Sequence, residues 1–219
     1  MLVTGNDGTP TPTLDLNNVQ IYNCSNVGIL ARTGNINAFN VVTNNCGEAS
    51  IAFTFGGSYT FTHCTFANYW PSPNQTCVFL DNYDGSNQYA LTQTNFNNCI
   101  IYGSTNYAIN FEKKGADANF NYQFNNCLIK FNDFNNQFST NPLFQFTGSR
   151  YSNCLIARNT TTNKPDFKNP SDNQLIIGQA SAAKGTADFS FSNGTFDILN
   201  KSRNTSPSDI GAYNFVIFD

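Results

Sequence analysis

A chain of 219 residues with 40% apolar side chains can fill the core of one domain, which argues against disorder. Charge is scarce: only 11% of residues are charged, the net charge is -3, and eleven thinly spread Lys and Arg form no basic stripe, which argues against nucleic acid as a partner. No apolar run approaches the roughly 18 residues of a membrane span, and Met1-Leu2-Val3-Thr4-Gly5-Asn6 lacks the regions of a signal peptide.

From the start, Thr9-Pro10-Thr11-Pro12-Thr13 runs straight into repeat-like sequence, so further coils are expected upstream of residue 1. A unit of Asn followed by Cys then returns along the chain. Its copies are Tyr22-Asn23-Cys24, Asn44-Asn45-Cys46, His63-Cys64-Thr65-Phe66, Phe96-Asn97-Asn98-Cys99-Ile100-Ile101, Asn125-Asn126-Cys127-Leu128-Ile129 and Ser152-Asn153-Cys154-Leu155-Ile156. The pattern suits an Asn-rich corner leading into a strand whose Cys and Ile share a buried face. Six of the seven Cys thus take one place in the repeat, and stacked equivalents predict a free, buried thiol ladder rather than disulfides. A single His and no CxxC pair argue against a metal site.

Between these units lie alternating segments at 27–31, 50–54, 77–81, 108–112 and 143–147, with a predicted inward column of Leu30, Phe53, Leu80, Phe111 and Phe146. A third kind of segment, at 36–42, 58–62, 91–96 and 120–124, leads back to the next corner. The inward column gives coil lengths of 23, 27, 31 and 35 residues, within the range of repeat architectures. Insertions rich in Pro, Gly, Ser and Asn, such as Trp70-Pro71-Ser72-Pro73-Asn74, account for the growth. The fold expected is all-β: a parallel β-helix solenoid with three strands per coil and about five or more coils over 1–158, followed at 159–219 by a last remnant and a tail that caps the last coil. A β-sandwich would favour two-residue hairpins, which the pattern lacks.

In that tail, Asp197-Ile198-Leu199-Asn200-Lys201-Ser202-Arg203 followed by Pro207-Ser208-Asp209-Ile210-Gly211-Ala212-Tyr213 resembles the C-terminal signature of right-handed parallel β-helix, pectin-lyase-like surface proteins of the Bacteroidetes. That family carries Gly where Asn200 stands and Glu where Asn214 stands. The resemblance implies an extracellular or cell-surface location and a β-helix, and it transfers no catalytic residue.

Chemistry concentrates at few positions. An outward column of Ala31, Thr54, Asp81, Glu112 and Thr147 places Asp81 beneath Glu112, with the two carboxylates about 5 Å apart. Such a pair serves acid and base roles in glycoside cleavage or recruits Ca²⁺, so Asp81, Glu112 and Lys114 are the candidate catalytic residues, against a plainer reading as solvated surface charges. Tyr69, Trp70 and Tyr83 are candidate polysaccharide-binding residues, Trp70 because the one Trp opens a Pro-rich loop. His63 stands where other corners carry Asn, which predicts a corner hydrogen bond rather than a general base. Arg203 and Asp209 are expected to form a structural ion pair. Asn23, Asn74, Asn159, Asn193 and Asn204 begin sequons expected by chance.

The function expected is a non-catalytic secreted or cell-surface module that binds polysaccharide or another macromolecule, without a cofactor. The alternatives are a polysaccharide lyase or glycoside hydrolase, and a structural spacer of an adhesin. Unpaired strand edges at an open first coil also predict end-to-end self-association or an upstream domain.

Overall fold

The computed structural model describes residues 1–5, 13–192, 195–203 and 207–218; the Pro-rich stretch at 9–12 and the sequon residues Asn193 and Asn204 lie outside them. The chain is all-β, with 47% strand and 5% helix. One parallel sheet holds five strands, Leu2–Thr4, Val27–Arg32, Ala49–Thr54, Thr76–Asp81 and Ile109–Glu112, paired in that order. A ten-stranded parallel sheet curls through 299°. Early passes enter it as the long strands Thr13–Cys24 and Asn35–Cys46; later ones enter as pairs, such as Leu91–Asn97 with Ile100–Gly103.

The curl has a local cause. Asn18, Asn40, His63, Asn98, Asn126 and Asn153 all adopt left-handed backbone, with φ between 51° and 56°. Asn and His are among the few side chains that tolerate this conformation. Each bends the chain, and the next residue, Val19, Val41, Cys64, Cys99, Cys127 or Cys154, packs in or against the core.

A second left-handed corner, at Asn23 and Asn45, precedes Cys24 and Cys46, which pair in register. The expected single thiol column is therefore two. One runs through Cys64, Cys99, Cys127 and Cys154; the other holds Cys24 and Cys46, with Cys77 next to Cys46. Both corners need a left-handed residue followed by a small side chain, so the same dipeptide serves two places. All seven Cys are free, and five are buried.

The five-stranded sheet shifts the expected register in its early strand. Ala31, Phe53, Leu80 and Phe111 form the inward column, and Leu30 pairs with Ala52 on the outer face. Gly28 accounts for the offset: a Cβ there would lie 2.6 Å from Ser50 O, so this residue packs tightly into the corner and inward alternation begins at Ile29. The outer column is accordingly Arg32, Thr54, Asp81 and Glu112, with Arg32 in place of Ala31. The stretch 143–147 is not a strand, so Phe146 and Thr147 leave their expected columns. Pro142–Phe144 forms a 3₁₀ turn whose Leu143 N donates to Asn141 Oδ1 at 3.0 Å. Phe131, Phe138, Phe144 and Phe146 gather there, with ring centroids 4.8 to 5.4 Å apart between partners, and close the end of the core.

Inside, Phe61, Phe96, Phe124 and Tyr151 stack in register at 5.5, 4.7 and 5.3 Å. The C-terminal segment packs against Leu155 and Ala157 of the last pass and extends well beyond it. Leu175, Ile177, Ala183, Ile210, Ala212 and Tyr213 lie along the side of the curled sheet, over Val42, Ala67, Ile100, Leu128 and Ala157. The doublets Ile100-Ile101 and Leu128-Ile129 explain this: the second member faces the core and the first is buried by the tail.

Burial sets thiol chemistry. It raises the Cys99 and Cys127 thiols and pushes Cys46 up to about 12, so these remain protonated at neutral pH. Alkylation of the native protein is expected first at the half-buried Cys24, with the half-buried Cys154 slower because its hydrogen bond with Cys127 and burial raise its thiol, and with all seven thiols modified after unfolding without reductant. Fewer than seven would reveal a disulfide.

Candidate functional site

Alternation in the five-stranded sheet sends every second side chain outward, and three features turn that face into a groove. The residues at 73–76 form one rim, Phe138 approaches over Tyr107, and the middle strand carries the small Ala49 and Ala52. The groove encloses about 980 Å³. Its floor is the column Leu30, Ala52, Phe79 and Asn110, in consecutive strands. Among the described residues, the charged side chains lining it are Arg32 and Glu48. Tyr107 is held at the rim by its ring contact with Phe138, at 5.0 Å, and by Gln137 Nε2, which donates to its hydroxyl at 2.6 Å.

A second cavity of about 650 Å³ lies beside it, lined by Tyr83, Glu112, Lys113 and Lys114 below Asn141 and Pro142. Here the Tyr83 hydroxyl donates to Glu112 Oε2 at 2.7 Å, and Lys114 Nζ donates to Gly85 O at 2.6 Å while lying 5.5 Å from the Tyr83 ring centre. Asp81 is Glu112's register neighbour, as its spacing predicts, but the two carboxylates are used differently. Asp81 is buried, and its Oδ1 accepts from Phe55 N at 2.7 Å and Tyr83 N at 3.4 Å. Burial pushes its carboxyl up to about 6, against the backbone donors that lower it; Glu112 and Asp84 add smaller upward effects.

The candidate aromatic residues do not converge. Tyr69 packs under the C-terminal segment, 6.4 Å from the Phe167 ring. Trp70 is half-buried, donates its backbone N–H to Asn68 Oδ1 at 3.2 Å, and lines neither cavity. Only Tyr83 borders one, the second. The groove residues Phe79, Tyr107, Asn110 and Arg32 were not singled out from the sequence. The signal was present in Phe79, an aromatic at an outward position between the inward Val78 and Leu80.

On the opposite side, the corner residues hold the C-terminal segment. Asn40 Nδ2 donates to Phe196 O at 2.8 Å and Asn98 Nδ2 to Asp188 O at 2.9 Å. Arg203 is buried and makes no ion pair with Asp209: its Nη2 donates to Gly211 O at 2.8 Å and its Nη1 to Asp209 O at 3.2 Å. The Asp209 carboxylate instead accepts from Gly185 N and Phe215 N, both at 2.7 Å. Burial lowers the Arg203 guanidinium to about 10, with Asp197 and Asp209 opposing. Gly211, at φ +96°, sits so close to the sheet that a Cβ would lie 2.6 Å from Ile100 Cδ1.

His63 is fully buried between these parts, as a corner hydrogen-bonding residue. Its Nδ1 lies 3.3 Å from Gly211 O, which can only accept, so Nδ1 carries the proton. Nε2 then accepts from Ser192 Oγ at 2.8 Å and Asn98 Nδ2 at 3.1 Å, and Ser192 continues to Ser208 Oγ at 2.7 Å. Burial, and secondarily Arg203, hold the imidazole well below its ordinary value. No group of three His, Cys, Asp or Glu among the described residues is placed to hold a metal ion, and no described helix is long and apolar enough to cross a membrane. No family model, curated protein or solved structure matches the chain.

The pH dependence follows from His63. Above its ordinary value of 6.5 the imidazole is neutral in folded and unfolded chains; below it the unfolded chain takes a proton that the folded one refuses, and stability falls. Asp81 works the other way, since its raised carboxyl is protonated earlier in the folded chain. Replacing His63 with Asn, the residue of the equivalent corners, is expected to reduce the loss of Tm between pH 7.5 and pH 5 by roughly 4–8 °C, as for about 2 kcal/mol in a chain of this size. Identical pH profiles for parent and variant in thermal unfolding would contradict this account of His63.

Proposed function

We propose that this chain is a right-handed parallel β-helix with three short strands per coil, and that it is a non-catalytic secreted or cell-surface module whose groove binds a polysaccharide. In support of the architecture, later passes give one strand to the five-stranded sheet and two to the curled one, separated by a left-handed corner residue. The pectin-lyase-like affiliation rests on the resemblance of the tail motif, its most specific part, and of the stretch from Gly56 to Trp70.

The observation that carries the binding reading is the groove itself: a cavity of about 980 Å³ in which the half-buried Phe79 and Tyr107 stand beside the amides and hydroxyls of Asn74, Thr54 and Asn110, with few charged side chains. Sugars offer apolar C–H faces for aromatic rings and hydroxyls for amide partners, so this lining suits a glycan chain. Catalysis by Asp81 and Glu112 draws less support, because Asp81 is committed to backbone donors and Glu112 to Tyr83.

The test is a glycan array followed by titration of the ligands found. Phe79→Ala and Tyr107→Ala are each expected to weaken binding about tenfold, equivalent to about 1.4 kcal/mol, with Trp70→Ala neutral. Glycan binding that depends on Trp70 and ignores Phe79 would move the site away from the groove, and a chain that binds no glycan would leave the spacer role.

A further inference from the structure

The groove floor is not uniform. Leu30, Ala52 and Phe79 occupy the same column of three successive strands, so Leu30 and Phe79 stand roughly 9.6 Å apart, two strand spacings, with a methyl group between them. The middle strand is low along much of its length: it presents Ala49, Ala52 and Thr54 where its neighbours present Val27, Leu30 and Arg32 on one side and Thr76, Phe79 and Asp81 on the other. The result is a slit about one chemical group thick, running across the groove. Its bottom is apolar and hard to reach, with Ala49 3% and Ala52 5% exposed.

Polar groups stand at the mouth. Beyond Ala52 are Arg32, whose guanidinium rests 5.6 Å from the Phe55 ring, and Thr54, whose hydroxyl donates to Ala31 O at 3.5 Å and so presents its oxygen as an acceptor. At the other end Asn26 Nδ2 donates to Glu48 Oε1 at 3.0 Å.

On the premise that the groove is a glycan site, we infer that it selects chains bearing N-acetylated sugars. A hydroxyl pressed onto Ala52 would lose its water and find no partner, whereas a methyl loses nothing. An acetamido group brings that methyl together with an amide: the methyl fills the slit, the N–H meets Thr54 Oγ1 and the C=O meets Arg32. A 6-deoxy sugar also has a methyl but leaves Arg32 and Thr54 without amide partners, and a 2-hydroxyl sugar lacks the methyl altogether. Substituents at this position therefore decide affinity, and the remaining rings supply contact with Phe79 and Tyr107.

The experiment compares three β-1,4-linked tetramers by titration calorimetry on the parent protein: chitotetraose, its fully deacetylated form and cellotetraose. Chitotetraose is expected to bind at least tenfold tighter than either, and Ala52→Leu, which fills the slit from outside the core, is expected to bring chitotetraose down to the affinity of the other two. Equal affinity for the three, or a preference that survives Ala52→Leu, would overturn the slit as the selector and leave the groove as a glycan site. Stronger binding of a fucose-bearing oligosaccharide would also overturn it, because the amide would then count for nothing. If no glycan of any class binds, the groove's assignment fails along with the inference.

Discussion

One backbone constraint recurs along the molecule: at the corner positions Asn18, Asn40, His63, Asn98, Asn126 and Asn153 the chain must adopt left-handed φ. For most residues that conformation is costly, which is why Asn and one His occupy the position. Because each corner bends the chain at the same point, the residues on either side fall into columns. Phe61, Phe96, Phe124 and Tyr151 then stack nearly parallel, and Cys64, Cys99 and Cys127 are fully buried just after the turn. Asn40 Nδ2 also reaches Asn18 Oδ1 at 2.9 Å, so the corners tie neighbouring passes together.

The same corners decide what happens outside. Asn40, His63 and Asn98 meet carbonyls of the C-terminal segment, and the signature from Asp197 to Tyr213 packs around them. Asp197 accepts from Leu199, Lys201 and Asn214 N–H groups, Arg203 joins the carbonyls of Asp209 and Gly211, and Gly211 allows the close approach. The segment is a side strap, and closure of the core end falls to the Phe131, Phe138, Phe144 and Phe146 cluster. This division leaves the outer face of the five-stranded sheet uncovered by the strap, and the groove lies there.

Much of this was legible in the residues. The strand segments, the parallel stacking and the Asp81 to Glu112 register follow from alternation and repeat spacing, since both report backbone geometry. The failures have physical causes. Three apolar residues in a row, Ile29, Leu30 and Ala31, fit either register, and only the packing of Gly28 against Ser50 O decides between them. Phe144 and Phe146 alternate like strand residues but follow Pro142, and the aromatic cluster recruits Phe144 through a turn. Arg203 and Asp209 looked like an ion pair by charge alone, while buried carbonyls and amides proved the nearer partners. The groove escaped notice because it arises from small residues, Ala49 and Ala52, whose importance lies in what they leave empty.

In-register parallel stacking is the claim on which the columns, the thiol ladders and the groove all rest. Its most direct test is a nuclear Overhauser spectrum of the isotope-labelled protein. Cross-strand contacts should join Phe96 to both Phe61 and Phe124, and Ile101 to both Phe66 and Ile129, in the pattern of parallel strands. Antiparallel partners for those residues, or contacts displaced by one position along the strand, would contradict it.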